Sequence, residues 1–153
     1  WMVTRPMKKL RRAFFLLLLA IVFPLLISHW SIGGNSYIAR NVGFRFSQAP
    51  KCIYSLDLVG HGKEFDLLKV YEISSDIASF EEHMQDSGWN PLPLSADMAR
   101  HPICKADFDG NMRAMLSCTH GYWLWDGQAY RLMVYDAEKH LLYIRKSTLL
   151  YGT

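Results

Sequence analysis

Apolar and polar positions alternate over CIYSLDLV (52–59), with Tyr54, Leu56 and Leu58 on one side and Ile53, Ser55 and Asp57 on the other. GHGK follows as a turn, and EFDLLKVYEI (64–73) continues in the same β-rich manner. Two such runs about a Gly-containing turn predict a hairpin. The period then changes. In SSDIASFEEHMQDSGW, Ile77, Phe80 and Met84 recur at helical spacing, while Glu81, Glu82, Gln85 and Asp86 point elsewhere. Ser75 is placed to cap a helix over 76–87, Gly88 to stop it, and Pro91 and Pro93 to prevent a restart.

No clear period runs from Asn90 to Thr119, although SADMAR has the form of one helical turn. The pattern then returns to strands, in GYWLW (121–125), YRLMVYD (130–136) and LLYIRKST (141–148). Both sides of these strands carry large apolar residues, so the sheet needs a cover, and the 76–87 helix is one candidate. The fold class expected is α+β. It is a small antiparallel-sheet domain in β-β-α-β-β-β order with one packed helix, behind an N-terminal transmembrane helix. Upstream, 31–48 reads as a linker and first extended segment, with a first strand around Val42–Phe46.

The longest apolar run is AFFLLLLAIVFPLLI, which reaches 18 residues (13–30) when Ser28, His29 and Trp30 are added. That length lies at the short end of a bilayer-spanning helix. Trp30 sits where interfacial aromatics sit, and Pro24 is compatible with a kinked span. A cleaved signal peptide is the rival reading. It needs small residues before the cut, and LLISHWSIGG places His29 and Trp30 there instead. An uncleaved anchor is therefore expected. The organisation reads as a basic cytoplasmic segment (1–12), the anchor (13–30), the linker (31–48) and an exported domain (49–153).

Charge supports that orientation. Of 17 Lys and Arg residues, Arg5, Lys8, Lys9, Arg11 and Arg12 precede the apolar run, and no acidic residue is among them. Basic flanks stay in the cytoplasm, so the rest of the chain is translocated. The expected location is the bacterial inner membrane, single-pass, with the N-terminus cytoplasmic and the C-terminal domain periplasmic. The formal charge of +3 belongs to the N-terminal flank, and the remainder is mildly acidic. No basic stripe is left to hold nucleic acid. The bilayer, through 13–30, and a protein of the envelope are the partners expected.

Export gives the cysteines meaning. Cys52, Cys104 and Cys118 are odd in number, so one pair and one free thiol are expected. The segment HPICKADFDGNMRAMLSCTH (101–120) contains Asp107, Asp109, Gly110 and Asn111, which favour turns. A Cys104–Cys118 bridge across it would contribute about 3 kcal/mol in the chain-entropy view. His101, Cys104, Cys118 and His120 could alternatively converge on a tetrahedral metal. DFDGN lacks the glycine and glutamate spacing of a calcium loop.

The sequence has no redox C-x-x-C, nucleophile elbow, H-E-x-x-H, P-loop or dinucleotide fingerprint, and nothing calls for a cofactor. Tyr122, Trp123 and Trp125 are the remaining candidates. The two tryptophans share a strand face, either buried as core or exposed as a binding platform. The function expected is non-enzymatic binding of a protein partner in the cell envelope. The alternative is an exported metal-binding protein or hydrolase using the His101–His120 loop.

Overall fold

A computed structural model describes residues 35–59, 65–105 and 109–148, and these fall into two units divided between Arg45 and Phe46. The expected anchor, 13–30, and the GHGK turn lie outside the described residues. Among the described residues no helix is long and apolar enough to cross a membrane.

In the first unit, residues 35–42 are helical (α1). Ile38 and Val42, one turn apart, are buried, and the Asn41 side chain donates to the Tyr37 carbonyl at 2.7 Å. The strand expected around Val42–Phe46 is absent. Val42, Phe44 and Phe46 do alternate, but the helix carries through Val42, and Gly43 ends it with φ 76° and its N–H on the Ala39 carbonyl, so no strand pairs there.

The second unit holds β1 (Lys51–Val59), β2 (Phe65–Glu72), α2 (Ile77–Asp86), β3 (Asn90–Pro91) and α3 (Ala96–Arg100). A 3₁₀ turn (Pro102–Cys104), α4 (Asn111–Leu116), β4 (Gly121–Asp126), β5 (Arg131–Asp136) and β6 (Leu141–Ser147) follow. The strands form one six-stranded sheet in the order β1-β2-β6-β5-β4-β3, antiparallel throughout. The expected α+β class and all five long strands are present. β6, last of the six, lies near the middle and joins the β1–β2 hairpin to the β5–β4–β3 half.

Two hairpins share one device. Asp126 Oδ1 accepts the N–H groups of Gln128 and Ala129 at 3.2 Å, and Asp136 Oδ1 accepts those of Glu138 and Lys139 at 2.9 and 3.2 Å. A short carboxylate that bonds its own backbone two and three residues on favours a turn. Each loop returns through a residue with positive φ, Tyr130 and His140. At the start of β4, Gly121 has φ 128°, and a Cβ there would overlap the Tyr135 carbonyl oxygen.

The sheet is covered on both faces. On one, α2 packs Phe80 against Tyr135 with ring centroids 5.1 Å apart, and Phe46 adds a second ring at 4.9 Å from Phe80. Met133, Tyr135, Leu142 and Ile144 are buried, and their register places them together on this face. Ser75 does not cap α2. The N-cap is Asp76, in a left-handed conformation, and its carboxylate instead accepts the Ser47 N–H and hydroxyl at 2.6 and 2.7 Å. Those bonds, backbone first, lower the Asp76 pKa.

On the opposite face, Leu68, Val70, Leu132, Val134 and Tyr143 meet Met98, Ile103, Cys104, Met112, Met115 and Cys118 in one buried cluster. The sequence anticipated one packed helix. This second cover is made of three short pieces, whose few apolar residues are too scattered for a readable period. Arg145, 1% exposed, fixes it to the sheet. Its guanidinium pairs with Asp66 and donates to the carbonyls of Ile103, Leu67 and Lys146. A buried guanidinium with its donors satisfied in this way is tolerated in a low-dielectric interior.

Candidate aromatic cleft

The pleat decides which side chains of GYWLW can act together. Trp123 lies opposite Val134 and Trp125 opposite Leu132, so both tryptophans share the face of the second cluster and pack against it. Tyr122 faces the other way, and its hydroxyl accepts the Gln85 Nε2–H at 2.5 Å. The structure therefore separates Tyr122 from the two tryptophans with which the sequence groups it. Tyr122 belongs to the α2 side.

Trp123 and Trp125 are half-buried and line a cleft of about 410 Å³. Met98 and His101 contribute from α3 and its end, and Asn90, Ser95 and Asp97 complete the lining. Local chemistry fixes each part. The Trp123 indole N–H donates to the Pro91 carbonyl at 3.2 Å, which ties β3 to β4 beyond their two paired residues. The Ser95 hydroxyl caps α3 by accepting the Met98 N–H at 3.2 Å, and the side chain of Met98 is buried. His101 Nδ1 accepts the Ile103 N–H at 3.2 Å and so caps the 3₁₀ turn. Its ring lies 4.7 Å from that of Trp125, tilted by 52°. Burial pushes the His101 pKa down. Together with the acceptor role of Nδ1, this favours the neutral ring with its proton on Nε2.

The other sequence candidates are dispersed. Cys104 and Cys118 are buried in one cluster, but both are free thiols, as is the exposed Cys52. Cys104 Sγ donates to the Met98 carbonyl at 3.3 Å, and Cys118 Sγ to the Ala114 carbonyl at 3.3 Å and to Asp136 at 3.5 Å. The expected Cys104–Cys118 bridge is not formed. Ile103, Met112 and Met115 hold this segment by burial. Desolvation raises Cys104 to about 11 despite the opposing Arg145 charge. Desolvation and then the Asp136 charge raise Cys118 to about 12.

His120 is exposed and pairs with Glu138 at 2.8 Å, away from the Trp125 contact that holds His101. Hence His101, Cys104, Cys118 and His120 do not assemble a metal site. Among the described residues no group of three or more His, Cys, Asp or Glu side chains is placed to hold one. Asp107 lies outside the described residues.

Sequence reasoning missed Asn90, Ser95, Asp97 and Met98 as partners of the tryptophans. The only signal was the capping form of SADMAR, which places Asp97 and Met98 on a turn but not against β4. It also missed the Asp66–Arg145 pair, for which strand parity was the available clue, since Arg145 shares a face with Tyr143. No protein-family model, curated protein or solved structure matches the chain.

Proposed function

We propose that this chain is a single-pass membrane-anchored protein of the bacterial envelope, with its β-sheet domain in the periplasm. It acts without catalysis by binding a protein partner in the Trp123–Trp125 cleft. The observation that carries the binding reading is the cleft itself. Two tryptophans on one strand face stand beside a polar rim of exposed Asn90, Ser95 and Asp97. Half-buried tryptophans in a concave site are the residue type that anchors protein interfaces. A non-catalytic role is supported by the direction of the thiol and phenol shifts. Burial holds Cys104, Cys118, Tyr135 and Tyr143 in their protonated forms, the reverse of an activated nucleophile or base. The anchor and its orientation rest on the apolar run and its one-sided basic flank.

Two measurements test this reading. A photo-crosslinking amino acid in place of exposed Ala96, beside the cleft, in protein kept in its native membranes, is expected to give a discrete adduct with one protein that Trp125→Phe weakens. A smear insensitive to that substitution would remove the binding assignment. A reporter joined after Thr153 is expected to be active only if it is of the kind that works outside the cytoplasm. Cytoplasmic activity would overturn the compartment.

A further inference from the structure

We propose that the cleft recognises a cationic side chain, an arginine or lysine presented on the surface of the protein partner. The inference rests on the binding role proposed above and specifies its chemistry. Three observations carry it.

First, the lining has one formally charged residue, and it is an acid. Asp97 is exposed and makes no ion pair among the described residues. Arg100, on the same short helix, turns its Nε–H back to the Ala96 carbonyl at 3.1 Å and is not part of the lining. Second, the apolar surface is indole. Trp offers the most electron-rich face of any side chain to a cation, and desolvation strengthens the attraction. A guanidinium also matches a carboxylate geometrically, with planar donors that can stack and pair at once. Third, the third ring of the cleft adds no opposing charge. His101 accepts the Ile103 N–H at Nδ1, an arrangement that requires an unprotonated nitrogen there.

Alternative ligands fit less well. An anionic group would face Asp97 with no cation in the lining. The exposed rim suits a side chain carried on another protein.

The test uses the full chain in non-ionic detergent with 5-fluorotryptophan incorporated. Fluorine resonances of Trp123 and Trp125 are assigned from Trp123→Phe and Trp125→Phe. The probes are blocked tripeptides with a central arginine, lysine, citrulline or glutamate, and tetramethylammonium as a free cation. The arginine and lysine peptides are expected to shift both resonances. The citrulline peptide should bind about tenfold more weakly, and Asp97→Asn should reduce arginine-peptide affinity by about the same factor. Asp97 is exposed and its amide is isosteric, and unchanged resonances of the other tryptophans will report an intact fold. Equal binding of citrulline and arginine peptides would overturn the cation assignment while leaving the cleft a binding site. Unaltered affinity in Asp97→Asn, or no shift with any peptide, would overturn it as well. Tighter binding of tetramethylammonium than of the arginine peptide would overturn the assignment to a protein side chain. Failure of the binding role is read separately, in the crosslinking experiment.

Discussion

The two faces of the sheet solve the same problem by different means. On one, a single ten-residue helix lays Phe80 and Met84 across Tyr135 and its neighbours. On the other, three short pieces deliver Met98, Ile103, Met112 and Met115 one or two at a time. A regular helix brings a continuous apolar stripe and seals what it covers. Short pieces leave seams. The seam beside β4 is the cleft, and the seam over β2 and β6 is closed by a charged group, Arg145, rather than by hydrocarbon. Methionine suits such a cover because its unbranched chain fills irregular gaps. The cleft opens where the packing is least regular.

That contrast can be broken from either side. The largest effect is expected on the helix face. Phe80→Ala removes a ring that is fully buried between two others and should cost about 4 kcal/mol, read as a shift in denaturation midpoint. A loss under about 1 kcal/mol would mean that α2 is not the seal described. On the other face, Asp66→Asn leaves the Arg145 charge buried without its counterion and should cost about 3 kcal/mol. The double replacement Asp66→Leu with Arg145→Met should recover most of that loss. No recovery would show that the guanidinium holds the 3₁₀ turn through its carbonyl bonds more than through the ion pair.

The thiols sharpen the comparison through pH. Cys104 and Cys118 have folded pKa values raised above the ordinary thiol value of 9.0, to about 11 and about 12. In the unfolded chain they would ionise first, so their contribution to stability is complete below about pH 9 and is lost as pH rises toward those values. The melting temperature should therefore fall above about pH 9, and Cys118→Ala should flatten that fall. Labelling at neutral pH should modify Cys52 at once and the other two only on unfolding. Rapid labelling of Cys104 would mean that the piecemeal cover opens readily. The smallest effect belongs to the cap of α3. Ser95→Ala should cost about 1 kcal/mol and loosen the cleft rim more than the sheet, seen as altered Trp123 and Trp125 signals.

The helix face was legible in the sequence because its elements carry their own period. Phe80 and Met84 recur at one turn, Met133 and Tyr135 alternate along their strand, and Gly88 marks the stop. Even there a detail escaped. A bulge lies between Cys52 and Tyr54, so Ile53 drops out of the alternation and is 48% exposed. Residues 35–42 read as linker because Ile38 and Val42 are too few to declare a helix, and the strand expected around Val42–Phe46 rested on the alternation of Val42, Phe44 and Phe46. The cleft was half legible. Parity put Trp123 and Trp125 together, but nothing local to residues 90–101 shows that α3 stands beside β4. The cysteine expectation turned on a related point. An irregular segment looks in need of a staple, whereas Ile103, Met112 and Met115 anchor it by contacts distant in sequence.

The place of β6 in the strand order bears on how the domain is made. Strands 1 and 2 can pair as soon as both exist, and so can strands 4 and 5, but the two hairpins have no bonds to each other until residues 141–147 arrive between them. Until then β2 and β5 each present a bare edge, able to pair with the wrong neighbour. The closing contacts span long stretches of chain, as between Asp66 and Arg145, and such topologies assemble slowly. A chain made from its N-terminal side delivers this central strand after the other five. The nascent domain would wait, two halves with sticky margins, for its keystone, and it is during that interval that a chaperone has most to protect.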